Sequence, residues 1–568
     1  MSQSTANKII VGVDYGTTFT EAFAGACYVS SKAIDLSDIV LISSWRGPSG
    51  DTETVFKAPS RIAYPDENPR ITNTCWGYQV EPGMTAYSWT KLLLGKGKPL
   101  TKYDDPALET ASQTGILKLL PGKEPVDVVA DYLSKVYAHI LKNLSKNMTE
   151  EALRITPIEF WFTVPAIWSD RARSATMTAA HRAGFGDSPS RPHDKIFLIS
   201  EPEAAAIVAL RKYTTHGIAD VVKAGDGVLV CDYGGGTVCG STAIDRNFYS
   251  LMSERFGAAF DSFPAKRKCS GSEFMKRFEV IKRDFGNYES ESTFELPLNM
   301  HVVDAGPMHF DEEERLVIMT NDDLCKVFDP VVDQIVQLVR DQLEEAKNQA
   351  GEDIINRIIP VGGFGDSEYL RKAMTSAFAS TGQITITVPD CPQARIIQGA
   401  ALRGLEGLRS FSKRSRRHYG FSMGIPFRAG IDDEANSYYD DFTVARGEKY
   451  TDNYAQCIHL FFSRDESTSL VRKVNLYACE NVIAPERKDD EGWKPGVYRV
   501  GTVTVEFSGV NLRSLKSRLV KGGKRVYCLD YDLRVNLGAL EGVLKFEAIS
   551  RGRAIGEATI NFSDDKFY

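Results

Sequence analysis

Apolar and polar positions follow two different periods along this chain, and the change between them divides it. Ile9-Ile-Val-Gly-Val13 is a short apolar run ending in turn residues, as a buried strand does. Val128, Val129, Leu133, Val136, Tyr137, Ile140 and Leu144 recur at helical spacing. Ile158 to Val164 reads as a strand, and Ser169-Asp170 offers a cap for a helix reaching about Ala183. Ile196 to Ile199 is another strand, followed by an Ala-rich helix from Glu203. Val228 to Cys231 and Ile358 to Val361 are strands. Between them Asp322 to about Asn348 reads as a long helix, with Leu324, Val327, Phe328, Val331, Ile335, Leu338 and Val339 on its buried face. Gln393 to Gly407 closes the series as a helix. Strands alternating with helices predict a mostly parallel sheet covered on both faces, over about residues 8–407.

The basic run Lys413-Arg-Ser-Arg-Arg-His418 marks a boundary and reads as a charged linker at a helix end. Beyond it the helical period disappears. Val497 to Phe507, Arg525 to Leu533 and Val543 to Ile549 read as strands separated by Gly-containing turns. Residues 419–568 therefore form a β-rich module in this reading. The predicted blocks are 8–224, 225–407, a linker at 408–418, and 419–568.

Composition narrows the class without naming it. The 568 residues carry 68 Lys+Arg and 75 Asp+Glu, a net charge of −7, which argues against a dedicated nucleic-acid binder. The ten cysteines include no CxxC pair, so a zinc ribbon or redox dithiol is not expected. The eight histidines are scattered without HExxH. The polar start, Met1 to Lys8, lacks the apolar core of a signal peptide, and no apolar run spans a bilayer. The expected location is the cytoplasm, with the nucleus as the alternative, and no membrane partner.

The chemistry lies in a repeat. Val11-Gly-Val-Asp-Tyr-Gly-Thr-Thr-Phe-Thr20 and Leu229-Val-Cys-Asp-Tyr-Gly-Gly-Gly-Thr-Val238 each place Asp-Tyr-Gly after an apolar strand, then Gly and Thr, then a second predicted strand. Glycine lets backbone N–H groups approach an anion closely, and Thr adds hydroxyl donors. An Asp at a strand tip can hold the waters of a hard cation such as Mg²⁺. Two such loops facing one another could clamp a nucleotide's phosphates. A third loop, Ile359-Pro-Val-Gly-Gly-Phe-Gly-Asp-Ser367, joins a strand to a helix, whose N-terminus suits a phosphate or ribose-phosphate edge. Glu279, Lys282 and Arg283 share one helical face that could grip an adenosine. There is no GxxxxGK[ST], so a P-loop site is excluded, and no GxGxxG between strand and helix, so dinucleotide binding is not expected.

Taken together these residues resemble the actin-type ATPase clamp, and within it the seventy-kilodalton heat-shock (DnaK-type) family. Asp14-Tyr-Gly-Thr-Thr-Phe19 is similar to that family's first phosphate motif and Asp232-Tyr-Gly-Gly-Gly-Thr237 to the second. Val164-Pro-Ala166 with Arg171, then Ser200-Glu-Pro-Glu-Ala-Ala-Ala206, resemble the first connector region. Val361-Gly-Gly363 resembles the adenosine motif and Gln393 to Ala401 the second connector. The matches fall in family order over about residues 8–407. Gly363-Phe-Gly-Asp-Ser367, Ser415-Arg-Arg-His-Tyr-Gly420 and the close at Tyr568 after a strand resemble a divergent, lidless eukaryotic branch.

The resemblance implies an α/β fold with two ribonuclease H-like lobes, followed by the β-rich module. It implies ATP/ADP and Mg²⁺ as cofactors, and a protein partner or client bound through 419–568. Asp14 and Asp232 would hold the Mg²⁺ waters. Gly16, Thr17, Thr18 and Phe19 would line one side of the phosphates, and Gly234, Gly235, Gly236 and Thr237 the other. Lys91, Glu201 and Asp232 would be the catalytic set. Gly257, or on a rival alignment Gly271-Ser272, would pack near the ribose. Glu279, Lys282 and Arg283 would grip the adenosine from one lobe, and Gly362, Gly363, Phe364 and Asp366 from the other.

Cys239 stands where the family has an Asp. A thiol is a poor Mg²⁺ partner and would stay neutral near polyphosphate, so nucleotide binding with slowed hydrolysis is expected. Two alternatives remain open on sequence alone: a nucleotide-stabilised scaffold without turnover, and a small-molecule kinase built on the same clamp.

Overall fold

The computed structural model describes residues 7–16, 23–33, 36–45, 57–88, 90–95, 119–214, 225–233, 240–269, 271–287, 292–302, 306–380, 382–405, 413–424, 438–465, 470–485, 496–507, 510–511, 515–519, 525–539 and 541–562. The fold is mixed α/β. Among these residues no helix is long and apolar enough to cross a membrane. The chain divides into two compact units, the first holding 1–94, 100–167 and 176–406, the second 95–99, 168–175 and 407–568.

The first unit is built around β1 (Ile9–Tyr15), whose seven residues are all buried. β1 pairs antiparallel with β2 (Phe23–Ser30), which carries β3 (Val40–Leu41) and β4 (Lys57–Pro59) on its other edge. On its far side β1 pairs in parallel with β5 (Ile158–Val164), and β5 with β6 (Lys195–Ser200). Helix α1 (Thr90–Leu94) is short. Helix α2 (Pro125–Leu144) starts on a proline that needs no N–H partner, and buries the Val128, Val129, Leu133, Val136, Ile140, Leu144 stripe read from sequence. Helix α3 (Asp170–Arg182) opens on Ser169, whose Oγ accepts the Ala172 N–H.

Two later helices carry the same unit onward. Helix α4 (Glu201–Thr214) leaves the end of β6, and α9 (Pro392–Leu405) packs on β1, β2, β5 and α4. Gly12 makes the α9 contact possible: a Cβ there would lie 2.3 Å from the Ile397 carbonyl oxygen.

A second, three-stranded parallel sheet runs β12 (Thr385–Ile386), β11 (Ile355–Val361), β7 (Gly227–Asp232). Among the described residues β7 is its edge, and Val228, Leu229, Val230 and Cys231 are only half-buried. Helices α5 (Ser241–Phe256), α6 (Glu273–Asp284), α7 (Asn321–Ala350) and α8 (Glu368–Met374) supply an aromatic core in which Phe248 stacks on Phe278 at 3.7 Å. The antiparallel ladder β8 (Thr293–Pro297), β10 (Leu316–Thr320), β9 (Phe310–Asp311) completes it.

Here the structure corrects the repeat. The first copy is a hairpin, β1 to β2. The second is not: β7 ends at Asp232, and by Ser241 the chain is already helical in α5. Gly240, with φ −90° and ψ 168°, is the N-cap of that helix and not a strand continuation. The physical reason is short-range. Ala243, Ile244 and Phe248 follow the helical period and are buried, so from Ser241 the chain reads as a helix; residues 234–239 lie outside the described residues.

The second unit contains a nine-stranded antiparallel sheet. Its strands are β13 (His418–Gly424), β14 (Tyr438–Val444), β15 (Ala455–Asp465), β16 (Val471–Cys479), β17 (Val497–Glu506), β18 (Lys516–Leu519), β19 (Arg525–Asn536), β20 (Lys545–Ser550) and β21 (Arg553–Phe562). The order is β14-β13-β16-β17-β21-β20-β19-β15, with β18 also on β19. Tyr527, Leu529, Tyr531, Leu533 and Val535 alternate inward along β19, the period-2 signature of a half-buried strand. The basic run is not a solvated helix end. Arg417 is mostly buried and donates to Glu480 at 2.9 Å, and His418 is buried at the start of β13, its Nδ1 accepting the Arg446 N–H.

Candidate functional site

Two carboxylates sit at strand tips: Asp14 near the end of β1 and Asp232 at the end of β7. Asp14 is buried, and both its oxygens are engaged. Oδ1 accepts the Thr163 hydroxyl of β5 at 2.6 Å, and Oδ2 accepts the Lys57 ammonium of β4 at 2.7 Å. The register explains the second contact. Asp14 pairs with Gly25 across β1–β2, and Gly25 pairs with Lys57 across β2–β4. The three residues form one cross-strand row, so their side chains share a face. Glycine in the middle leaves that face open, and Lys57 reaches over it to the carboxylate.

A second ion pair lies close by. Lys91 of α1 is 1% exposed and donates to Oε1 of Glu201 at 2.9 Å. Glu201 is the first residue of α4, where the helix dipole favours a negative charge. Tyr15 shares a buried hydrogen bond between its hydroxyl and that of Thr90, next to Lys91, which fixes α1 to the end of β1.

The charges act on one another. Burial pushes the Asp14 carboxyl up, but the Lys57 and Lys91 ammoniums and the hydrogen bonds from Lys57 and Thr163 hold it below the ordinary Asp value. Asp232 goes the other way. Burial first, then repulsion from Glu201 and Asp14, push its pKa up to about 7 against the pull of Lys57 and Lys91. For Lys57, burial opposes the charge, yet attraction to Asp14, Asp232 and Glu201 keeps it above the ordinary lysine value. Five charged groups predicted or found here thus form one electrostatic cluster.

The third glycine loop closes against this cluster. Asp232 pairs with Val361 across β7–β11, and the Tyr233 N–H donates to the Val361 carbonyl at 2.9 Å. Gly362 has φ +86°, and a Cβ there would lie 2.6 Å from Oδ1 of Asp232 and 2.9 Å from the Tyr233 carbonyl carbon. Only glycine fits so near the carboxylate. Gly363 faces open space, Phe364 is buried against Phe328 in the core, and Ser367 caps α8.

The adenosine set divides. On α6, Lys282 is buried and donates to Oε1 of Glu279 at 2.5 Å and to Oδ1 of Asp245 on α5 at 2.7 Å. That arrangement ties two helices together. Arg283 is exposed, and its charge offsets part of the burial that raises the Asp366 carboxyl above its ordinary pKa. Arg283 and Asp366, predicted from opposite sides, thus act on one another electrostatically. Gly257 turns the corner after α5 with φ +47° and open space around it, while Gly271 precedes the Ser272 cap of α6.

Gly16 follows β1 directly. Thr17, Thr18, Phe19, Gly234, Gly235, Gly236, Thr237 and Cys239 lie outside the described residues. Lys57 was not predicted. No motif surrounds it in sequence, and its only signal is a lysine beside an apolar Ala-Pro pair in a strand that must pair with β2.

Magnesium at Asp14 and Asp232 can be tested on this donor set. Carboxylate oxygens suit it chemically. Among the described residues, however, no three His, Cys, Asp or Glu side chains are grouped to hold a metal ion. Each Asp14 oxygen already accepts one hydrogen bond, and one of the donors is a cation, Lys57, whose charge repels a second cation. The arrangement does not fit a divalent ion on Asp14 unless Lys57 moves away.

No family model matches the chain. It is 22% identical over 624 aligned positions to heat shock 70 kDa protein 12A of Homo sapiens, covering 91% of this chain and 88% of that protein. Heat shock 70 kDa protein 12B of Homo sapiens is 22% identical, with 89% and 84% covered. The mitochondrial-type heat shock protein 70 of Encephalitozoon hellem is 24% identical over 292 positions, covering 48% of this chain and 44% of its own.

Proposed function

This chain is a divergent member of the seventy-kilodalton heat-shock family, and from that premise we propose that it is an ATP-binding, chaperone-like protein. The observation that carries the reading is the cluster itself. Asp14 and Asp232, at the tips of strands in two different sheets, feel one another's charge together with Lys57, Lys91 and Glu201. A phosphate-binding site needs such buried ammoniums and strand-tip loops, and a purely structural core does not.

In this proposal residues 8–224 and 225–407 act as the two lobes of the clamp. The loops after β1 and β7 hold the phosphates through Gly16, Thr17, Thr18 and Phe19 and through Gly234, Gly235, Gly236 and Thr237. Lys91 and Glu201 orient the attacking water and the γ-phosphate once the nucleotide separates them, and Asp232 takes up charge or a proton. Gly362, Gly363, Arg283 and Asp366 border the adenosine, and the electrostatic influence of Arg283 on Asp366 supports the reading. Glu279 and Lys282 support it indirectly, by joining α5 to α6. The magnesium of the family would need Asp14 to release Lys57, so no step is assigned to it. Nucleotide state would bias a partner-binding surface on 419–568 through its differential affinity for two states of the chain. A cytoplasmic location accords with this role.

Calorimetry with ATP and with ADP, on the wild type and on Asp14→Ala, tests the reading. Heat with the wild type and its loss in the variant is the expected result. No heat with the wild type ends the nucleotide-binding proposal.

A further inference from the structure

The cation of this site is part of the chain. We propose that Lys57 is the resident cation of the nucleotide site, holding on the Asp14 carboxylate the place of a hydrated divalent ion and meeting the nucleotide's phosphates directly. The inference rests on the reading of this cluster as a nucleotide site.

Four observations lead to it. Lys57 lies 2.7 Å from Oδ2 of Asp14 and the Thr163 hydroxyl 2.6 Å from Oδ1, so a cation of the chain already sits on the carboxylate where the charge of a hydrated metal would compete with it. The contact is built into the sheet, because Asp14, Gly25 and Lys57 are in register across β1, β2 and β4. Lys57 is largely buried, touches Asp14, and is held in its charged form by attraction to Asp14, Asp232 and Glu201 together. Of the two buried ammoniums, Lys91 pairs with Glu201 at 2.9 Å and Lys57 with Asp14 at 2.7 Å.

The chemistry is plain. Phosphates arriving in a cluster of carboxylates need positive charge between the two. A hydrated Mg²⁺ usually supplies it, and an ammonium can do so as a point charge with three donors. Since both compete for the same oxygens, a site with a fixed lysine depends less on the free ion. Nucleotide binding to this chain is therefore largely independent of Mg²⁺.

The test is calorimetric titration of the full chain with ATP and with ADP, in excess Mg²⁺ and in excess EDTA. For the wild type, EDTA is expected to change affinity by less than about tenfold. Lys57→Met is expected to weaken binding in EDTA by more than about tenfold, with partial recovery on adding Mg²⁺, while Lys57→Arg keeps binding in EDTA. Circular dichroism checks that each variant is folded. If Lys57→Met does not fold, the wild-type pair of titrations and Lys57→Arg decide. Wild-type binding that needs Mg²⁺, or a folded Lys57→Met that binds in EDTA as the wild type does, overturns the role of Lys57 and leaves the nucleotide-binding reading standing. Absence of binding in both buffers removes both.

Discussion

Gly399 of α9 lies against the backbone of Ala204 in α4 so closely that an added Cβ would be 1.8 Å from the Ala204 carbonyl oxygen. The two helices that follow β6 and β12 cross there, backbone to backbone. Both carry small residues at the contact, and the crossing fixes where α4 begins and so where Glu201 stands.

Gly399→Ala should therefore be costly although alanine is the better helix former. The added methyl has no space, and overpacking of this kind costs about 1–3 kcal/mol. Chemical denaturation should show that loss, while Gly306→Ala, with nothing within 4 Å of the added Cβ, should change stability little. Equal effects at the two positions would refute the close crossing.

Gly362→Ala should act on the site more than on the core. Its backbone is in the left-handed region, which costs an L residue about 1 kcal/mol, and its new methyl would press on Asp232. The expected outcome is weaker ATP binding by calorimetry with a smaller fall in melting temperature. Unchanged affinity would dissociate the third glycine loop from the cluster.

Asp323 gives a pH prediction away from the site. Burial raises its pKa, but hydrogen bonds from Arg255 of α5, at 2.6 Å, and from the Thr320 N–H, with the Arg255 charge, bring it below the ordinary value. A carboxylate with a depressed folded pKa contributes stability that is present above its unfolded value and is lost as pH falls through the folded one. Asp323→Asn should cost about 1 kcal/mol at neutral pH, and the difference from wild type should shrink below about pH 4. Thermal melts across that range read the difference directly, and a gap that stays constant into acid would disprove the charge contribution.

Cys239→Asp addresses turnover. If the missing carboxylate is what slows hydrolysis, the variant should release phosphate faster than wild type at saturating ATP. Unchanged phosphate release would show that identity at position 239 does not limit the rate.

Much of the scaffold was legible because its signals are local. The β1 run, the α2 stripe and the strand from Arg525 each rest on a signal confined to a few turns or residues, and each formed where the sequence places it. The site was half legible. Asp14, Lys91, Glu201, Asp232 and Gly362 come together as their motifs implied, since strand-tip loops carry recognisable glycines. Lys57 was not visible, because its importance comes from a register across three strands and from the missing side chain of Gly25. The second hairpin was misread for the opposite reason. A repeated motif suggested a repeated strand, while the residues after Gly240 already followed the helical period. The basic run at 413–418 looked solvated by its charge, but Arg417 is mostly buried against Glu480, and His418, accepting the Arg446 N–H, starts a strand of the sheet.

The edge position of β7 also has a consequence in time. Its one partner among the described residues, β11, starts at Ile355, whereas β7 ends at Asp232. A ribosome adding about 5–20 residues per second releases the first several seconds before the second. Throughout that interval Val228-Leu-Val-Cys231 has no β11 to pair with, and an apolar strand without its neighbour invites the wrong one. Synthesis of this heat-shock relative thus contains a waiting period in which the nascent chain itself needs protection from its surroundings.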